Sequence, residues 1–176
     1  DALIVLQADA PEGQVFSKWN DGKADNPRIV TAADASQLFP LFLPKTGQGA
    51  VCVKLPVLAG AGMGAVNVNA AAVTEGESVQ LKLVVLPSYS QSSVKVFANG
   101  KELDATLSLR ASSETKTLFY TLSGLSEDVD VEVSGLKQNE YVVSLEQQDG
   151  GIVRASQVGM VKHGTIVTLE AAPDRG

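Results

Sequence analysis

"VFSKWNDGKADNPRIVT", residues 15–31, holds the chain's one tryptophan, Trp19, an Asp21-Gly22 step and an Asn26-Pro27-Arg28 step. Asp-Gly supplies the positive φ of a tight turn, and proline fixes the backbone where the chain comes back. The stretch therefore reads as the hairpin of a small β-unit. Two roles compete for its side chains. In one, the flat face of Trp19 receives a sugar, with Asp21, Asp25 and Arg28 as a hydrogen-bonding rim. In the other, Phe16 and Trp19 cap a mini-core beneath the turn. The second is the stronger, because a unit of ~46 residues lies near the lower limit for independent folding. It can ill spare an indole whose truncation, when buried, costs ~3–5 kcal/mol. Arg28 is then expected to stack on Trp19, adding about 0.5–2 kcal/mol.

Outward from this hairpin the chain is dense in strand signals. "ALIVLQA" (2–8), "AVCVKLPV" (50–57), "AVNVNA" (65–70), "SVQLKLVVL" (78–86), "SVKVFA" (93–98), "TLFYTL" (117–122), "DVDVEVS" (128–134), "EYVVSLE" (140–146) and "GTIVTLEA" (164–171) are β-branched or alternating. "VKVFANGKEL" carries a two-residue hairpin turn at Asn99-Gly100. No window holds a sustained helical stripe; "AADASQLFPLF" (32–42) comes nearest, and Pro40 breaks it. The expected fold is all-β, with little or no helix.

Composition narrows the function classes. The chain has 176 residues, 44% hydrophobic but only 5% aromatic, so its core must be built mainly from Val, Leu, Ala and Ile. A net charge of −6, without a Lys/Arg cluster, disfavours nucleic acid and anionic lipid as partners. No apolar run is long enough for a membrane-spanning helix. The chain opens on Asp1 rather than Met, the pattern of a processed or excised piece. The single Cys52, in an apolar run, is expected to be a buried thiol; it allows no internal disulfide and no cysteine-based zinc site. Nothing local activates it or the one histidine, His163, for nucleophilic catalysis.

Self-similarity divides the chain. "VTEGESVQLK" (73–82) aligns without gaps on "VKHGTIVTLE" (161–170), and "DALIVLQADAPEG" (1–13) on "GTIVTLEAAPDRG" (164–176). Natural joints fall at "LPKTGQG" (43–49) and "QQDGG" (147–151). Three units are expected: residues 1–46, 47–147 and 148–176, the last being the start of a further repeat. Short joints predict a stiff rod rather than beads. Because residues 1–13 and 164–176 share a strand, one chain's last unit could pair with another's first, giving a strand-exchange dimer.

The first unit resembles the divergent InlB B-repeat of bacterial surface proteins, the Listeria–Bacteroides type. The likeness rests on Pro11 and Gly13, Phe16, Trp19, Asp21-Gly22, Asn26-Pro27-Arg28, Val30-Thr31 and the closing Leu38–Phe42, where Pro40 departs from the pattern. Residues 47–147 resemble an Ig-like β-module of Bacteroides-type surface proteins through Gly76, Tyr89, Asn99-Gly100, Leu103, Tyr120, Gly135, Asn139 and Tyr141. The resemblance implies a β-grasp-like repeat beside an Ig-like β-sandwich. It also implies a secreted or cell-surface protein without catalytic residues or cofactors, acting as a stalk or adhesion module toward protein or glycan. The alternative is a carbohydrate-binding accessory domain of a secreted glycan-degrading system.

Other motifs give less. Asp21, Asp25 and Asn26 share a loop, but the six to eight oxygens and closing Glu of a calcium loop are not visible, so no metal site is expected. "AGAGMGAV" (59–66) lacks the Lys and helix of a phosphate loop and reads as a crossing between strands. "SEDVD" (126–130) reads as a solvated strand edge with Val129 turned inward. No Gly-x-Ser-x-Gly and no paired catalytic carboxylates are present.

Overall fold

The computed structural model describes residues 2–45, 49–58, 64–90, 93–110, 115–146 and 149–174. Among these the chain is all-β: small sheets, and one four-residue helix.

The first unit contains β1 (Leu3–Leu6), β2 (Gln14–Trp19), β3 (Arg28–Thr31), α1 (Ala32–Ala35) and β4 (Pro40–Pro44). Its pairings interleave: β1 runs antiparallel to β3, and β2 antiparallel to β4. Pro40 does not break the closing strand. It sits at the first position of β4, opposite Trp19, where a missing N–H can be tolerated at a strand end. The β2·β4 ladder shifts register between Phe16 and Lys18, leaving Ser17 as a bulge residue. Thr31 caps α1 by accepting the Asp34 N–H at 3.2 Å.

The middle of the chain is a two-sheet sandwich. Its strands are β5 (Ala50–Lys54), β6 (Gly64–Val68), β7 (Ala72–Thr74), β8 (Val79–Val85), β9 (Lys95–Ala98), β10 (Lys101–Glu102), β11 (Leu107–Arg110), β12 (Lys116–Leu122) and β13 (Val129–Ser134). One sheet has the order β10-β9-β13-β5-β7 and the other β11-β12-β8-β6. Period-two alternation generates the core directly. In β8, Val79, Leu81, Leu83 and Val85 are buried while Gln80 and Lys82 face water. They meet Leu118, Tyr120 and Leu122 of β12, and Val51, Val53, Val73, Val96, Val129 and Val131 from the opposite sheet, in one cluster. Each fully buried leucine contributes about 1.5–3 kcal/mol. The Asn99-Gly100 hairpin forms as expected, with both residues at positive φ and Lys101 opposite Ala98. Cys52 is only half-buried, because it points away from the Val51/Val53 face. Burial and the nearby Asp128 still hold its thiol above the ordinary value. Residues 59–63 of the glycine-rich crossing lie outside the described residues; Gly64 opens β6.

Four further strands follow: β14 (Glu140–Val143), β15 (Gly151–Ala155), β16 (Gly159–Lys162) and β17 (Leu169–Pro173). They repeat the interleaving of the first unit, β14 with β16 and β15 with β17. Glu140–Val143, read from sequence with the middle module, thus pairs forward. The strand expected over 164–171 forms only from Leu169 onward. Ile166–Val167 alternate correctly but have no ladder partner among the described residues, and alternation without a partner does not make a strand. No residue between 149 and 174 that is described is buried.

Two sets of bonds join the units. Ala71 N–H donates to the Ser17 carbonyl at 2.8 Å, and Ser17 Oγ donates to the Ala72 carbonyl at 2.6 Å. The bulge in β2 therefore turns its spare main-chain and side-chain groups onto the outer edge of β7. At the far side, Asn139 Nδ2 donates to the Pro87 carbonyl at 2.7 Å and Asn139 N–H to the Ser88 carbonyl at 2.8 Å. Gly135 lies at φ 76°, against the Ser93 carbonyl, where a Cβ would collide. These contacts account structurally for Gly135 and Asn139 of the middle motif.

Candidate functional site

The first unit gathers its polar and aromatic residues around the turn after β2. Phe16 meets Phe42 edge-on at 6.3 Å and Trp19 at 5.7 Å. The indole is buried, 3% exposed, and its Nε1 donates to the Asp25 carbonyl at 2.8 Å. The Arg28 guanidinium lies 5.9 Å from the indole centroid, within cation–π range. It is itself buried and donates to both Asp21 carboxylate oxygens at 2.9–3.0 Å, a bidentate pair. Hydrogen bonding from Arg28 holds the Asp21 carboxyl below its ordinary value, against a smaller opposing effect of burial.

The four sequence-predicted site residues thus have distinct places. Trp19 is packed under the turn, not displayed. Asp25 contributes its main-chain oxygen to the indole. Asp21 and Arg28 are brought together and reach a surface hollow. Asn26, from the same loop, clamps the Ala8 main chain through both ends of its amide, at 2.9 and 2.7 Å. The loop's oxygens therefore diverge, and the described residues include no group of three metal-ligating side chains.

The hollow holds about 370 Å3 and lies between the turn after β2 and the segment following α1. Asp21 and Arg28 form one wall. Asn20 forms another, fixed at both ends of its amide: Nδ2 donates to the Gln37 carbonyl at 3.1 Å, and Oδ1 accepts the Phe39 N–H at 3.0 Å. Lys23, Asp34, Gln37 and Leu38 complete it. Asp34 Oδ2 accepts the Thr31 hydroxyl at 2.7 Å. Phe39, next in sequence to Leu38, is 55% exposed and held by the Asn20 N–H on its carbonyl at 3.0 Å. Sequence reading missed Asn20, Lys23, Asp34, Gln37 and Phe39. They come from two stretches, the turn after β2 and residues 34–39, and only the Asp21–Arg28 pairing signals where these meet.

Outside this unit, His163 Nδ1 and Tyr141 Oη are 3.2 Å apart, with their rings 5.8 Å apart. His163, just past β16, is thus engaged beside the β14·β16 ladder, whereas Cys52 lies in β5. Fold and site together define an all-β chain of small modules around a two-sheet sandwich, with a polar hollow on the first. No family model matches the chain, and no curated protein or solved structure does.

Proposed function

We propose that the chain is a non-catalytic structural and adhesion module of a secreted or cell-surface bacterial protein, a stiff stalk that presents loops to a protein or glycan partner. The observation that carries this reading is the Ser17 joint. A buried hydroxyl and a main-chain N–H bind the first unit to the sandwich edge, so the two move as one piece rather than hanging on a tether. The course of the sandwich supports it. β5 and β13 are parallel neighbours, Val129 beside Val53, so the chain enters at one end of the sandwich and leaves at the other. From Ala50 to Ser134 the offset is about eight residues, or about 26 Å at ~3.3 Å per residue. Units strung this way extend rather than fold back.

Residual dipolar couplings on the whole chain test the stiffness. One alignment tensor should fit the amides of β2, β4, β8 and β12 together; separate tensors for the first unit and the sandwich would reject the stalk. Antibody labelling of intact producing cells tests the setting. Labelling that requires lysis would reject surface display.

A further inference from the structure

We propose that the hollow beside the Arg28–Asp21 pair is a binding site for a neutral carbohydrate, a short saccharide lying against Leu38. This goes beyond the stalk reading and does not depend on it.

The walls are set before any ligand arrives. Both ends of the Asn20 amide are committed, and the Asp21 carboxylate accepts Arg28 as well as the Lys23 N–H at 3.3 Å. Little reorganisation is then required on binding. Hydrogen-bonding capacity remains at the rim. Lys23 Nζ, the Gln37 side-chain amide and Asp34 Oδ1 make no hydrogen bond among the described residues. Together they offer a donor, a donor–acceptor and an acceptor, the complement of adjacent hydroxyls that each donate and accept.

Charge selects against ionic ligands. Asp21 cancels Arg28, and Asp34 offsets Lys23, so the lining sums to zero. A phosphate or carboxylate would face two aspartates, and an organic cation would face Lys23 and Arg28. A polyhydroxylated neutral molecule meets neither penalty. An apolar side is also present, since Leu38 lines the hollow and can take the C–H face of a sugar. Trp19, the aromatic that the sequence would nominate, is buried and cannot serve. The volume, about 370 Å3, lies near the lower end of ligand pockets, which suits a short saccharide.

The test is a titration of the 15N-labelled whole chain with maltose, cellobiose, lactose and mannobiose, followed by amide shifts, alongside a neutral-glycan array. N-acetylneuraminic acid and glucose 6-phosphate serve as anionic comparisons. At least one neutral saccharide should shift the amides of Asn20, Lys23, Gln37 and Phe39 in a saturable way, more tightly than either anion. Lys23→Ala and Gln37→Ala, both at exposed positions, should each weaken it at least fivefold with unchanged melting temperature, and Lys54→Ala on the sandwich should not. The proposal is overturned if no neutral saccharide on array or in titration moves these amides. It is equally overturned if binding survives both substitutions, or if the anions bind more tightly.

Discussion

Replacing Ser17 by alanine removes one hydroxyl and tests whether the first two units are a single cooperative body. Ser17 Oγ lies 2.6 Å from the carbonyl of Ala72, a residue with no exposed surface. Cys52, opposite Ala72 in the β5·β7 ladder, sends its own N–H to Asp128 Oδ1 at 2.8 Å, so that ladder position offers Ala72 no substitute donor. Ser17→Ala therefore leaves a dry, unsatisfied acceptor, which costs about 1–3 kcal/mol. The Ala71 N–H bond to the Ser17 carbonyl survives, which places the expectation near ~2 kcal/mol. For a chain of this length each kcal/mol moves the melting temperature by about 2–4 °C, giving a fall of roughly 4–8 °C. Trp19 belongs to the first unit alone and is buried, so its fluorescence reports that unit, while far-UV dichroism weights the sandwich. In urea the two signals should coincide for the parent chain. In the variant the Trp19 midpoint should drop and separate from the dichroism midpoint. A Trp19 transition moved by no more than about 0.5 kcal/mol, the size of an ordinary surface change, would refute the joint.

Further outcomes follow from other contacts. Arg28→Lys keeps the charge but loses the bidentate fork on Asp21 and the planar group over Trp19, and should cost about 1–3 kcal/mol in Trp19-monitored unfolding. Since Asp21 titrates below its ordinary 3.8, its pairing energy is fully present above that pH and is lost as pH falls through the lower folded value. The stability gap between parent and Asp21→Asn should thus be largest near neutrality and close in acid below 3.8; a gap independent of pH would contradict the pairing. Amides of β14 to β17 should exchange with deuterium well before those of β8 and β12, because no residue of β14 and no described residue in 149–174 is buried. If Ile166–Leu169 can take the place of Leu3–Leu6 in another copy, sedimentation velocity over a hundredfold concentration range should show a growing dimer, and a strict monomer throughout would end that idea.

The sandwich was legible wherever one face is wet. Alternation in Val79–Val85, Lys116–Leu122 and Val129–Ser134 states both strand and inward side. Asn99-Gly100 was legible because few dipeptides accept two positive φ values in succession. Leu107–Arg110 was not, because the strand is exposed on both faces and four residues of alternation say nothing of a buried side. Gly151–Ala155 was not, because its half-buried side is Gly151, Val153 and Ala155, two of them too small to mark an apolar face. Ile166–Val167 show the reverse failure: strand-like composition, no partner. At the site, Asp21 and Arg28 could be nominated because a turn joins them within seven positions. Asn20, Gln37 and Phe39 could not. Their convergence depends on α1 and the return into β4, a tertiary arrangement that no local spacing encodes.

The parallel contact of β5 with β13 also dictates how the sandwich meets mechanical load. Tension on the flanking chain would draw Ala50 one way and Ser134 the other, along the strands rather than across them. Val53 would have to slide past Val129 and Lys54 past Asp130, straining those bonds together instead of peeling them in turn. With only two residue pairs in register, resistance would also depend on β9 holding β13 in place from its other side.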